Sequence, residues 1–252
     1  MLSWSDPFVF ICADSGSFNN SRSRVQWGGF TLDWYSRLFS NRQIMEALST
    51  TLTLAFSSAL IATVIGVLGA LGIHAMRRKN YQLVMVCTNI PLLNADIVTG
   101  IALMLWFVNF MPLGYGSVLL AHITFNIPYV ILSVMPKIRQ MNLSLYEAAR
   151  DLGANAVYAF FKIILPQFAG GIVAGFFMAF TMSMDDFVIT YFTKGAGVNT
   201  LSTMIYGEIR KGIKPEMYAL STIIFVFVFL VLLAVNYLPD RKGKAKKERV
   251  KG

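Results

Sequence analysis

Five stretches of the chain, at about 48–76, 82–110, 116–135, 168–190 and 217–238, are apolar over lengths that only a bilayer demands. A helix needs roughly 20 apolar residues to cross the hydrocarbon core. In lipid every backbone N–H and C=O must find its partner inside the protein, so runs of this length are restricted to helices. Composition agrees: charged residues make up 14% of the 252, against roughly 25% for a chain that must cover itself with a water-facing surface. The sequence therefore reads as an all-α integral membrane protein, with one membrane domain over 48–238 and no soluble module.

The net charge of +9 is distributed in a way that argues against a nucleic-acid partner. Basic residues gather at Arg77, Arg78 and Lys79, between Lys137 and Lys162, and in the tail 239–252. If the spans alternate, all three clusters fall on one side, and the excess of Lys and Arg makes that side the cytoplasm. The tail is then a cytoplasmic topology anchor against anionic membrane lipid. Cys12 and Cys87 have no metal-ligand spacing and no expected disulfide. The same count puts residues 1–47 outside, although they carry Arg22, Arg24, Arg37 and Arg42. Only Phe8–Ala13 is apolar there, far short of a span, so a first span is expected to be missing or altered. Trp27, Trp34 and Tyr35 suit an outer aromatic anchor, or a cage for a cation through its attraction to ring faces.

The segment "SLYEAARDLGANAVYAFFKIILPQ" is too polar to span and too rich in helix formers to be a loop. Ser144 with Glu147 fits a capping box opening a short helix over 145–152. Gly153 permits a turn through positive φ. A second helix over 154–164 should end at Pro166, which lacks a backbone donor. The result is a helix–turn–helix elbow at 144–166, with small residues at Ala148 and Ala149 that let another backbone approach. An ordinary interfacial helix pair satisfies the same pattern.

Glu147-Ala148-Ala149, then Gly153, then Ile163-x-Leu165-Pro166 resembles the EAA signature of ABC importer permeases in full spacing. The likeness runs from about Ser17 to the tail and, through "FNNSRSRVQWGGFTLDWYSRLF" and "MAFTMSMDDFVITYF", is similar to the second permease subunits of spermidine/putrescine importers. That resemblance implies the type I ABC importer permease fold in a bacterial inner membrane, usually with six spans, the first directly before Ser17. It implies an elbow that docks on an ATPase, two ATPase subunits holding ATP and Mg, a second permease subunit and an extracytoplasmic polyamine-binding protein. The chain has no GxxxxGK[ST] phosphate loop, so it carries no nucleotide chemistry and no bound cofactor of its own.

Carboxylates are scarce in the apolar runs, which singles out Asp96, Asp185 and Asp186. A helix entering the membrane at Phe168 puts Asp186 about 27 Å further on, and one from Gln82 puts Asp96 about 21 Å in, at 1.5 Å per residue. Both then fall in the outer half of a core roughly 30 Å thick. Pro91 and Asn94 suggest an irregular polar patch beside Asp96. Ionisable groups at such depth face a cavity or a partner and mark a pathway. No Lys or Arg in either span neutralises them, so a cationic solute can supply the missing charge. The plainer reading makes Asp185 and Asp186 a hydrated cap. Neighbours on a helix point about 100° apart, so one acid lines the pathway while the other meets a neighbouring helix. Asp186 shares a face with Ser183 and Thr190.

His122 reads as a packed, hydrogen-bonded histidine rather than a proton relay, and His74 as interfacial. Gly66, Gly69 and Gly72 form a stripe for close helix approach. A permease for another cationic solute would use the same acids. A proton-coupled secondary transporter would show inverted repeats, which are absent, and leaves the elbow unexplained. An intramembrane aspartyl protease needs two carboxylates sharing a proton, and no GxGD is present. The reading is the permease subunit of an ATP-driven polyamine importer, not an enzyme.

Overall fold

A computed structural model describes residues 29–31, 33–211 and 219–223, with 226, 229, 230 and 233 besides. Residues 1–16, Trp27, most of the fifth apolar run and the basic tail lie outside the described residues. The elements are α1 (Asp33–Ser40), α2 (Arg42–His74), α3 (Arg78–Leu93), α4 (Asp96–Val108), α5 (Tyr115–Arg139), α6 (Ser144–Asp151), α7 (Ala156–Ala159), a π-helical turn (Phe160–Ile164), α8 (Leu165–Asp185), α9 (Val188–Thr193) and α10 (Leu201–Lys211). The chain divides into two compact units, 52–198 and the residues on either side of it.

In the flanking unit, Trp34 and Leu38 of α1 pack with Ile44 and Ala47 of α2, Leu201 of α10, and Ala219 and Leu220. Trp34 is buried, with the Arg37 guanidinium 5.2 Å above its ring. Its expected place as an interfacial anchor is corrected: the indole is core, because the apolar face of α1 closes on α2. The Thr51 hydroxyl accepts a hydrogen bond from the Leu201 amide at 2.8 Å. That contact satisfies one of the orphan donors at the start of α10.

In the unit 52–198, α5 is the central helix, buried along most of its length. Small residues on its neighbours let backbones approach, the usual basis of packing where lipid competes for apolar contact. A Cβ added at Gly66 of α2 would lie 2.7 Å from Val130 Cγ1 of α5. One added at Gly171 of α8 would lie 3.2 Å from the Ser133 carbonyl oxygen, and one at Gly175 would lie 3.3 Å from Val130 Cγ1. Val130 thus fills the space that both glycines vacate. The expected glycine stripe narrows to Gly66, since Gly69 has only an ordinary contact and Gly72 faces open space. Val134, Ile138, Ile164 and Phe168 extend this core toward the elbow.

Among the described residues three helices are long and apolar enough to cross a membrane: Arg42–His74, Tyr115–Arg139 and Ala156–Asp185. The second apolar run departs from a straight span. It is the pair α3 and α4, bent by 104°. Pro91 lies inside α3, and Asn94 and Ala95 are extended, at ψ 148° and 135°. The polar patch read at Pro91 and Asn94 is therefore a full break, and the straight rise to Asp96 is replaced by a corner.

The elbow keeps its cadence with three local corrections. Ser144 is already helical, and its amide and hydroxyl both donate to Asn142 Oδ1, at 3.0 and 2.8 Å. Glu147 N–H bonds to the Leu143 carbonyl, so the capping box is absent. Gly153 has φ +85°, the left-handed conformation that its missing Cβ makes accessible. The second helix begins at Ala156, after Asn155 caps it by accepting from the Val157 amide. It does not stop at Pro166. The Leu165 N–H reaches back five residues to the Phe160 carbonyl, and the widened turn accommodates a residue without a donor. Residues 156–185 run on as one 30-residue helix.

Candidate functional site

The acids lie at two helix breaks. Helix α8 ends at Asp185, and Asp186 is extended, with φ −60° and ψ 124°. The Asp186 side chain then caps α9. Its Oδ1 accepts from the Ile189 amide at 3.2 Å, and its Oδ2 accepts from the Thr190 amide and hydroxyl, each at 2.8 Å. A carboxylate at this place satisfies orphan donors and sits at the positive end of a short helix. His122 of α5 lies against the same group, with Nε2 2.9 Å from Thr190 Oγ1 and 3.4 Å from Asp186 Oδ2. Its Nδ1 is 2.5 Å from Ser183 Oγ, which lies 3.0 Å from Ser58 Oγ of α2. Ser58, His122, Ser183 and Thr190 are all buried.

Asp185 differs from its neighbour. It is exposed, beside Asp186 and within electrostatic reach of Asp96. Asp96 is the first residue of α4, also exposed, and acts on Tyr129 as well. The preceding Ala95 makes no side-chain cap. Asp96 and Asp185 approach because α4 packs on α9. A Cβ at Gly100 would lie 3.2 Å from Phe192 Cδ2 and 3.5 Å from Ile189 Cα. The fold therefore places Asp96 and Asp185 at the breaks flanking the packed α4 and α9, and turns Asp186 into the protein. Ser183 and Thr190 do accompany Asp186, but across a break rather than along one helix face.

The sequence identified His122 as packed and hydrogen-bonded. It missed that the ring joins α8 to α9, because Ser58 is 64 positions from His122 and no local pattern links them. Lys194, the first basic residue after the acids, is half-buried, and that burial pulls its ammonium below the usual lysine range. His74 is exposed at the end of α2, and Cys87 is an exposed free thiol. Among the described residues no group of three or more His, Cys, Asp or Glu is placed to hold a metal ion.

The elbow residues form a second surface. Glu147 and Ala148 are exposed on α6, with Ala149 half-buried. The Arg150 guanidinium donates to the Ala154 carbonyl at 3.0 Å and closes the turn around Gly153. Beyond it Leu152, Val157, Tyr158 and Phe161 are exposed, whereas Ile163 and Leu165 are half-buried beside the exposed Pro166.

The profile of the family described as binding-protein-dependent transport system inner membrane component matches residues 62–244. The chain belongs to this permease family. It is 36% identical over 238 residues to the spermidine/putrescine transport system permease protein PotC of Haemophilus influenzae, covering 94% of this chain and 91% of the relative. The putrescine transport system permease protein PotI of Escherichia coli K12 is 34% identical, covering 93% and 85%. Among solved structures, a bacterial ABC transporter that imports alginate superposes with a TM-score of 0.69 at 17% identity, covering 94% of this chain and 90% of that one. An amino acid ABC transporter superposes with a TM-score of 0.60 at 18% identity, covering 84% and 100%. The permease thus has the type I ABC importer fold and is an inner-membrane transport subunit.

Proposed function

We propose that this permease conducts a polyamine, spermidine or putrescine, as half of the pathway of an ATP-driven importer. A second permease subunit supplies the other half. Two ATPase subunits, holding ATP and Mg, engage the elbow through Glu147, Ala148, Ala149, Gly153, Ile163, Leu165 and Pro166. An extracytoplasmic binding protein delivers the solute, and the basic tail faces the cytoplasm. The names carried by the two relatives support the solute class. The observation that carries the reading is the pair of exposed carboxylates Asp96 and Asp185, each at a break beside the packed helices α4 and α9, with Asp186 turned inward as a cap. A polyamine presents several ammonium groups on a flexible apolar chain, so spaced acids within apolar walls match it. Irregular backbone at membrane depth is tolerated where it lines a cavity.

The test is uptake of radiolabelled spermidine and putrescine by cells that lack other polyamine importers and express the assembled transporter. Polyamine-stimulated ATP hydrolysis in membranes accompanies it. Saturable uptake that needs the ATPase supports the reading. An assembled importer that takes up neither polyamine, or prefers an unrelated cation in competition, overturns it.

A further inference from the structure

The hydrogen bonds around His122 fix a proton on its Nε2. A carboxylate only accepts, so the single Thr190 hydroxyl proton goes to Asp186 Oδ2. Toward His122 Nε2, 2.9 Å away, Thr190 then presents a lone pair, and Nε2 must carry a proton. Nδ1 meets Ser183 Oγ, accepting from it in the neutral ring and donating to it in the charged one. Ser183 in turn lies 3.0 Å from Ser58 Oγ, whose own hydroxyl donates to the Ala55 carbonyl at 3.2 Å. The chain of contacts runs Ser58, Ser183, His122, Thr190, Asp186. It ties α2, α5, α8 and α9 together in a dry interior, where unpaired polar groups are costly.

We propose that His122 is a positioning residue for the translocation pathway: by anchoring Ser183 on one side of the α8–α9 break and Thr190 with Asp186 on the other, it fixes the rotation of the end of α8 and so keeps Asp185 turned out toward Asp96. His122 reaches both sides of the break. Ser183 lies two residues before Asp185 and Thr190 four after Asp186, so a ring bonded to both sets the angle at which the intervening acids emerge. Asp186 is consumed as an acceptor. Asp185, the last helical residue of α8 and exposed, is left for the solute. The assignment rests on the pathway reading above, but it concerns an orientation that can be measured without any solute.

The experiment uses the full importer in membranes, with Cys12 and Cys87 replaced by Ser and a single reporter, Asp185→Cys. The rate at which a membrane-impermeant maleimide labels position 185 is compared between His122 and its variants. His122→Ala is expected to slow labelling about tenfold, the effect of losing roughly one hydrogen bond's worth of orientation. His122→Gln, whose amide can donate to Thr190 as Nε2 does, should restore it. In the unlabelled importer carrying Asp185, His122→Ala should raise the KM for spermidine about tenfold and leave Vmax near the parent's. A merely structural histidine would lower abundance and Vmax together. Unchanged labelling in His122→Ala overturns the proposal, as does failure of His122→Gln to recover it. If His122→Ala does not reach the membrane, Thr190→Val cuts the same chain with a residue of equal size. Slowed labelling there supports the proposal, and labelling at the parent rate refutes it. If the parent importer takes up no spermidine, the solute assignment falls while the labelling comparison still decides the role of His122.

Discussion

The breaks between α3 and α4 and between α8 and α9 meet the same need by opposite means. Each interrupts an apolar run, and each places an acid where the next helix begins. At the first, Ala95 offers no cap and Asp96 stays exposed in the opening turn of α4. At the second, Asp186 takes two amide protons and a hydroxyl proton of α9 and lies 3.4 Å from His122. An acid that satisfies the backbone at a break is spent as a ligand. What the break then offers a solute is the neighbouring acid, Asp185. Adjacent carboxylates that look equivalent as letters thus have different work.

The largest expected effect tests that division directly. Asp186→Leu strands three donors in a buried interior, and at about 1–3 kcal/mol for each it should cost at least about 3 kcal/mol. Asp96→Leu, at an exposed position, should cost within about 0.5 kcal/mol. Melting of the solubilised importer measures both, and equal melting points would erase the distinction between the breaks. Next, Asp185→Asn and Asp96→Asn should each weaken apparent polyamine affinity by roughly ten- to a hundredfold, corresponding to one hydrogen bond to a charged group at about 1.5–3 kcal/mol. Neither should shift the melt. Parent-like uptake kinetics in both variants would remove the acids from the pathway.

A smaller effect is expected where the two breaks touch. Gly100→Val drives a branched side chain toward Phe192 and the α9 backbone, and overpacking of this kind costs about 1–3 kcal/mol. It should separate Asp96 from Asp185, so uptake should fall more than stability does. The smallest sharpens the comparison from a third site. At Gly153 the turn needs a left-handed backbone, with φ +85°, so Gly153→Ala should cost about 1–2 kcal/mol. Association with the ATPase should weaken while labelling at position 185 stays unchanged. A change at 185 would mean that Gly153 acts on the break itself and not on docking alone.

Most of this architecture was legible because its causes are local. Apolar length marks α2, α5 and α8, Gly153 marks the turn, and Pro91 with Asn94 marks a disturbed helix. The misses have long-range or compensatory causes. Trp34 looked like a surface aromatic because nothing nearby in sequence reveals the α10 residues that cover it. Pro166 looked like a terminator because the rule assumes regular α-bonding, and the Phe160–Leu165 bond evades that assumption. The pairing of Asp186 with α9 depended on where α8 stops, and "MDDFV" carries no Gly or Pro to announce it. The capping box failed because Asn142, two residues earlier, competes for the same donors.

The continuity of residues 156–185 through the π turn has a mechanical consequence. A terminator at Pro166 would have made a joint there, and forces on the elbow would have dissipated in bending. Without one, the segment is a stiff rod about 45 Å long at 1.5 Å per residue. Whatever grips α7 at one end holds a lever whose other end is the residue pair Asp185 and Asp186. A twist of the near end arrives at the far end as a change in which acid faces where. The extra residue in the π turn sets the phase of that lever. Deleting one residue between Phe160 and Ile164 would leave both ends intact and rotate one against the other by about 100°.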